Sequence, residues 1–169
     1  MMWSQGHVDP WWHDDHRNIN YEYLPLTNTD DEQRWQQQGY SGFRLNGGTW
    51  SDQHQQPPWA EQFRGMWPHW HDVGLCVFVQ NTMDALPLHA DSYNSYRKRL
   101  NIASIEQINR CIVFLEDWQS GHYMEIDGRP IMPWIKGDWV SWQGRVPHFA
   151  ANIGTQPRYT MQITGWCDA

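Results

Sequence analysis

The feature that most constrains the fold is a series of short strand-like segments in the second half of the chain. From Val73 onward, runs of β-branched and aromatic residues are separated by turn residues. The candidate strands span Val73 to Gln80, Arg110 to Glu116, Tyr123 to Ile126, Ile131 to Ile135, Trp139 to Trp142, Phe149 to Asn152 and Tyr159 to Gly165. Many short strands at such spacing are typical of an all-β sandwich or barrel. The spacing predicts a jelly roll, and without a repeat of fixed period a propeller or solenoid is disfavoured.

Turn residues between these segments support the β prediction. Asp127-Gly128 predicts a tight hairpin, because a two-residue type I′ turn needs positive φ at both central positions. Pro133 and Pro157 are expected at strand edges or strand starts, since proline donates no hydrogen bond to a ladder.

The first 72 residues have a different texture and predict an irregular extension. They are rich in Trp, His, Gln and Asp, and their periodicity is weak apart from a short helix predicted over Asp31 to Gln38. Most tryptophans of this region are expected to cover the outside of the β core, and some to line a substrate cleft. These are Trp11, Trp12, Trp35, Trp50, Trp59, Trp67 and Trp70. We predict one domain over 1–169, with a loop and short-helix extension at 1–72 packed on a jelly-roll core at 73–169.

Charge and hydropathy disfavour several classes of function. The formal net charge is −7, from 12 basic and 19 acidic residues, whereas nucleic-acid binding depends on clustered Lys and Arg. The longest apolar run, Leu75 to Val79, is far shorter than the ~20 residues that cross a bilayer. No signal-like stretch follows Met1, and the 3 cysteines form no C-x-x-C pair. We expect a cytoplasmic protein with reduced thiols and neither a membrane nor a nucleic-acid partner.

Three residues in the second half are candidate metal ligands. His89 and Asp91 are two residues apart, so in an extended segment both side chains project to the same side and can share an ion. His148, at the start of a candidate strand, is the third candidate. Two histidines and one carboxylate on one face of a metal leave adjacent positions open, as in non-haem Fe(II) oxygenases.

The last candidate strand has one polar and one apolar face. Alternation places Arg158, Thr160, Gln162 and Thr164 on one side and Tyr159, Met161 and Ile163 on the other. Such a strand lines a polar cavity on one side and packs a core on the other. A buried arginine needs an anion, and its planar fork favours a bidentate carboxylate. A cosubstrate with a free carboxylate would meet that need.

This set of residues resembles the Fe(II)/2-oxoglutarate-dependent oxygenase superfamily, whose fold is a double-stranded β-helix of the jelly-roll type. The resemblance is carried by His89-x-Asp91, then His148, then Arg158-x-Thr160 ten residues further on, within the surrounding segments Val113-Phe114-Leu115 and Gly137-Asp138-Trp139-Val140. The close of the chain also looks similar to short phage-encoded members, which implies the host cytoplasm if the chain is virus-encoded. The resemblance covers roughly residues 87–166, so the N-terminal region lies outside it.

The resemblance implies a role for each matched residue. His89, Asp91 and His148 would bind Fe(II), 2-oxoglutarate would chelate the metal, and its far carboxylate would meet Arg158 and Thr160. The products would be succinate, CO2 and an oxidised substrate, with ascorbate a candidate stimulant. A carboxylate ligand favours hydroxylation over halogenation. The expected substrate is an amino-acid or peptide side chain or a small metabolite.

Weaker candidates remain open. Tyr93 and Asn152 are further candidates for binding the cosubstrate, with packing and structural roles as their alternatives. The basic cluster Arg97 to Arg99 is either a solvated face or a contact for an anionic substrate. His13 to His16 and His69 to His71 have metal-like spacing but no matched third ligand, so packing or surface roles are favoured.

Two functions from other classes also fit parts of the sequence. A cupin-type metal-binding jelly roll, either an isomerase or non-enzymatic, is one, because Pro147-His148 with Asn152 resembles the second cupin motif. Against it, His89-x-Asp91 stands where a cupin has His-x-His and a downstream glutamate. A carbohydrate-binding jelly roll with exposed tryptophans as stacking platforms is the other. It accounts for the 13 tryptophans but not for the arginine ten residues after His148.

Overall fold

The computed structural model describes residues 3–23, 29–51 and 57–168, and most of its regular structure is β. The strands are β1 Trp3–His7, β2 Arg44–Leu45, β3 Gly48–Ser51, β4 His71–Gln80, β5 Asp84–His89, β6 Ile108–Phe114, β7 His122–Ile126, β8 Arg129–Pro130, β9 Asp138–Gln143, β10 His148–Asn152 and β11 Arg158–Trp166. The α-helices are α1 Thr29–Gln37 and α2 Asn94–Leu100, and 3-10 helices span Asp14–Asn18, Tyr40–Gly42, Ala60–Met66 and Ile105–Gln107. No helix among these described residues is long and apolar enough to span a bilayer.

The strands form two sheets that face each other. Six strands pair in the order β1-β9-β6-β11-β4-β3, and five pair in the order β2-β5-β10-β7-β8. The pairings are antiparallel apart from the short parallel contact between β2 and β5. The predicted double-stranded β-helix is confirmed.

Alternation along β11 places its apolar side chains on the outer face of the six-stranded sheet and its polar side chains in the interior between the two sheets. Met161 and Ile163 are fully buried in an apolar cluster on the outer face of the six-stranded sheet. Arg158 projects to the opposite side, where its Nη1 donates to the Tyr123 carbonyl of β7 in the other sheet at 3.4 Å. The two faces predicted for this strand are therefore present.

The Asp127-Gly128 hairpin is confirmed. Both turn residues have positive φ, 51° and 72°, and they connect β7 to β8.

Strand β5, Asp84–His89, was not predicted from the sequence. It pairs with β10 although it contains Pro87. Because β5 ends at His89, this strand is what positions the first candidate ligand.

The strand predicted over Ile131 to Ile135 is wrong. The ladder between β7 and β8 ends at Pro130, and this proline and Pro133 have no N–H to donate. The chain turns inward instead, where Trp134 stacks on Phe114 with the ring centroids 4.0 Å apart. The apolar run is thus a loop that contributes to the interior core.

The N-terminal region contains more strand than the sequence predicts. β1 pairs with β9 and β3 pairs with β4, so both edges of the six-stranded sheet come from this region. The helix predicted over Asp31 to Gln38 is confirmed as α1. The outer apolar cluster includes Trp11, Trp12, Trp50, Trp59, Trp67 and Trp70. These indoles cover the outer face of the sheet, as expected.

Candidate metal centre

Three candidate ligands come together at one end of the interior. His89 is the last residue of β5, and His148 is the first of β10 and its partner in the register. Asp91 follows His89 by two residues, and its carboxylate oxygens lie 3.6 Å from His89 Nε2 and 4.0 Å from His148 Nε2. One donor atom from each side chain lies within 4.8 Å of the others. Small side-chain adjustments would let these donors bind one divalent ion with bonds of about 2.0–2.2 Å, since two atoms bound to one ion in this way are at most about 4.4 Å apart.

Backbone carbonyls orient both imidazole rings. His89 Nδ1 donates to the Pro87 carbonyl at 2.8 Å, and His148 Nδ1 donates to the Val146 carbonyl at 2.9 Å. This tautomer leaves the Nε2 lone pair of each ring free, which is how metal-binding histidines are usually held. Burial, and next the neighbouring His89, lower the pKa of His148 to about 4. The ring is therefore neutral at neutral pH, the state that binds a metal.

Arg110 holds the candidate carboxylate ligand. Its Nη2 lies 3.2 Å from Asp91 Oδ2, and its Nη1 donates to Gln162 Oε1 at 3.1 Å. Burial by itself raises the pKa of Asp91, but Arg110 and the two histidines outweigh burial and bring the pKa below its usual range. The carboxylate is thus ionised and oriented. Arg110 is not among the residues predicted for the site, although a charged residue at an inward position of a predicted strand was the available signal.

Arg158 lies in the same interior without a compensating charge. It is 4% exposed, and its Nε has no hydrogen-bond partner. No carboxylate in the described part of the chain forms an ion pair with it. Burial lowers the pKa of Arg158 to about 10, so the guanidinium is still charged at neutral pH. Thr160, two residues along the same face, is 1% exposed.

The two weaker cosubstrate candidates have different surroundings. The Tyr93 ring lies 5.3 Å from the guanidinium carbon of Arg110, and its buried hydroxyl faces the Arg110 guanidinium and the Trp142 indole. Asn152 donates both amide hydrogens, to the Gln80 and Gln156 carbonyls, and accepts from the Gly154 N–H. Both of its donors are thus used within the chain, at the turn after β10.

A cavity of about 590 Å³ opens onto two of the candidate ligands, His89 and Asp91. Its wall is formed by Asp31, Trp35, Asn46, Thr49, Phe78, Leu86, His89, Ala90, Asp91, Ser92, Asn94, Arg145 and Gln162. Trp35 is 3% exposed, and its ring centroid lies 6.1 Å from that of His89. Helix α1 of the N-terminal region therefore forms part of this wall, which fits the expectation that some tryptophans line a cleft.

The other metal-like motifs do not assemble. Within residues 3–23, 29–51 and 57–168, the group His89, Asp91 and His148 is the one set of three or more such side chains close enough to share an ion. His16 is instead buried against Glu116, with Nε2 and Oε1 2.7 Å apart. The three cysteines are free.

Comparison with known proteins supports the fold and goes no further. A prolyl-4-hydroxylase from Pseudomonas putida matches 99% of this chain and 94% of its own, with a TM-score of 0.57 and 13% identity. The non-heme alpha-ketoglutarate-dependent carbocyclase SnoK of nogalamycin biosynthesis matches 84% of this chain and 76% of its own, with a TM-score of 0.53 and 13% identity. A cupin protein from Bacteroides fragilis matches 57% of this chain and 68% of its own, with a TM-score of only 0.39 and 14% identity. No protein-family model and no curated protein matches the sequence.

Proposed function

We propose that this protein is an Fe(II)- and 2-oxoglutarate-dependent dioxygenase that hydroxylates an amino-acid or peptide side chain or a small metabolite. The observation that carries the proposal is the pairing of two features in one interior. A His-Asp-His donor set lies at one end, and a buried guanidinium without a carboxylate partner projects into the same space.

The donor set fits Fe(II). Two neutral imidazoles and one carboxylate form the ligand set of the non-haem Fe(II) oxygenases, and they leave positions open for a chelating ligand and dioxygen. The chain supplies the orientation: His89 and His148 are held by backbone carbonyls, and Asp91 by Arg110. Bound Fe(II) with 2-oxoglutarate and dioxygen would convert a substrate C–H bond to C–OH, with succinate and CO2 as the other products.

Arg158 fits the cosubstrate. An isolated charge in a protein interior costs several kcal/mol unless a counter-charge meets it. A diacid that chelates the metal through its keto-acid end would bring its far carboxylate toward Arg158 and the Thr160 hydroxyl. The chain would thus bind and orient the cosubstrate, and the same contacts would keep water out of the interior.

The structure disfavours both alternatives. A cupin would hold its metal with His-x-His and a glutamate, whereas this chain presents Asp91 and keeps an uncompensated Arg158 in the interior. A carbohydrate-binding module would need exposed indoles. All 13 tryptophans lie in the described part of the chain, and none of them is exposed.

The test is to purify the protein anaerobically and measure two quantities. These are the Fe(II) bound per chain and the succinate formed from 2-oxoglutarate with a library of amino acids, peptides and small metabolites. We expect about one Fe(II) per chain and substrate-stimulated succinate release, both lost in Asp91→Ala. His69→Ala is the matched control, because this exposed histidine belongs to a metal-like motif outside the cluster. Bound metal without succinate release would favour a cupin, and glycan binding with neither would favour a lectin.

A further inference from the structure

A buried glutamine next to Arg158 has a hydrogen-bonding defect that the proposed function explains. Gln80, the last residue of β4, is fully buried, and its Oε1 has no hydrogen-bond partner. Its Nε2 donates to the Ala150 carbonyl of β10 at 3.4 Å, which is a long contact. Buried polar atoms almost always have partners, so an orphan acceptor in a native protein calls for a reason such as an absent ligand.

The strand register places this glutamine directly beside the unpaired guanidinium. Gln80 and Arg158 are paired in the antiparallel β4–β11 ladder. Side chains opposite each other in such a ladder have Cβ atoms about 4.5–5.5 Å apart on one face. That face is the interior one, because Gln80 reaches Ala150 of the other sheet and Arg158 reaches Tyr123. An orphan acceptor and an orphan donor thus belong to neighbouring side chains.

The neutral amide at this position leaves the charge of Arg158 available. A carboxylate here would pair with the guanidinium and cancel the attraction for an incoming anion. An amide does not, and its nitrogen carries a second hydrogen that can be donated to a bound carboxylate. Its oxygen can accept from a guanidinium N–H at the same time.

On these grounds, and resting on the proposed function, we propose that Gln80 is a third binding residue, with Arg158 and Thr160, for the far carboxylate of 2-oxoglutarate. The amide donates one N–H to that carboxylate. It also keeps the subsite positively charged, so that the subsite selects a 2-oxo acid with a negatively charged tail.

The experiment compares two probes on Mn(II)-loaded protein by calorimetry, so that it does not depend on turnover. The probes are 2-oxoglutarate and 2-oxobutyrate, which can chelate the metal alike but differ in the far carboxylate. The variants are Gln80→Glu, which adds a carboxylate beside Arg158, and Gln80→Leu, which removes the amide at similar volume. Gln5→Glu, an exposed position on β1, is the control for the added charge.

We expect the two substitutions to act on one probe only. Gln80→Leu should lower the affinity for 2-oxoglutarate about 10-fold, which is the effect of losing one hydrogen bond to a charged group. Gln80→Glu should lower the same affinity more than about 100-fold, because the new carboxylate forms an ion pair with Arg158. It should also raise the melting temperature of the ligand-free protein, since a buried cation gains a partner. Binding of 2-oxobutyrate should change less than about 3-fold, and Gln5→Glu should change neither probe.

The outcomes separate this inference from the proposed function. If the unsubstituted protein does not bind 2-oxoglutarate, the proposed function itself fails. If it binds but Gln80→Leu binds both probes as well as before, or loses both equally, Gln80 has no role at the far carboxylate. If Gln80→Glu does not fold, Gln80→Leu alone decides between these results.

Discussion

Two arginines on neighbouring strands face the interior under opposite electrostatic conditions. Arg110 on β6 lies 3.2 Å from Asp91, whereas Arg158 on β11 has no carboxylate partner in the described part of the chain. The register partner of Arg110 is Thr164, six residues along β11 from Arg158. One end of the interior is therefore neutralised from within, and the other carries a free positive charge.

The difference indicates what each arginine is for. A buried charge is tolerated when a counter-charge is close, and leaving it unpaired lowers the stability of the fold. Arg110 satisfies this condition with a residue of the chain, so it acts as a structural support for a candidate ligand. Arg158 does not satisfy it, which is what we expect of a residue that binds an anion from outside.

The largest effect should come from the ligands themselves. Asp91→Ala and His148→Ala each leave two donors, which hold a divalent ion poorly. Metal affinity should fall by more than about 100-fold, because substituting a partner outside the ligand set already lowers it about 10- to 100-fold. Calorimetric titration of the purified apoprotein with Mn(II) measures this loss. An affinity within a factor of ten of the unsubstituted protein would contradict the ligand assignment.

Arg158→Met should weaken the binding of 2-oxoglutarate without lowering the stability of the ligand-free protein. The substitution removes a charge-assisted pair with the cosubstrate worth ~2–5 kcal/mol, so 2-oxoglutarate affinity should fall at least about 30-fold. It also removes an unpaired buried charge, so urea unfolding of the ligand-free protein should show equal or greater stability. Mn(II) affinity should not change. A large loss of stability would mean that Arg158 supports the fold instead.

The residues of the candidate site could be predicted from the sequence more completely than the residues that surround them. His89, Asp91, His148 and Arg158 could be found because their spacing along the chain is itself the signal, and period-two alternation assigns their faces. Alternation along its predicted strand could have shown that Arg110 faces inward, but its contact with Asp91 depends on which strand lies beside which. That information belongs to the register between β6, β9 and β11.

The same reason explains what was missed in the fold. β1 and β3 are short edge strands, and their hydrogen bonds come from β9 and β4, which are distant in sequence. Helix α1 was predicted from the local periodicity, but its place over the candidate metal site depends on Trp35 packing near His89. Local pattern predicts that an element exists, whereas its neighbours are set by long-range packing.

Arg110→Met should have the opposite effect to Arg158→Met on stability. It removes the one cation in the described part of the chain that contacts the half-buried Asp91 carboxylate and leaves His89 and His148 as its neighbours. Losing a hydrogen bond to a charged group in this way costs about 1.5–3 kcal/mol. Mn(II) affinity should fall about 10- to 100-fold, because the ligand loses its orienting contact. Saturating Mn(II) should restore part of the lost stability.

The matched control for Arg110→Met is another arginine–aspartate pair. Arg44 contacts the buried Asp84 through two hydrogen bonds, of 2.6 and 2.8 Å, away from the candidate ligands. Arg44→Met should also destabilise the protein but leave Mn(II) affinity unchanged. If both variants lose stability and neither loses metal affinity, Arg110 has no role at the metal centre.

The smallest effect we predict is a pH dependence that arises at one end of the interior only. The pKa of His148 is lowered to about 4, against about 6.5 in an unfolded chain. Between these values the unfolded state binds more protons, so the stability of the metal-free protein should fall as pH drops from 6.5 toward 4. At roughly 1.4 kcal/mol per pKa unit the change between pH 7 and pH 5 amounts to about 2 kcal/mol, which urea unfolding at these two pH values measures. His148→Gln should show a smaller difference between the two pH values, whereas Arg158→Met should keep the full difference, since the pKa of Arg158 near 10 lies outside this range. An unchanged difference in His148→Gln would show that other groups, and not this ring, set the acid sensitivity of the fold.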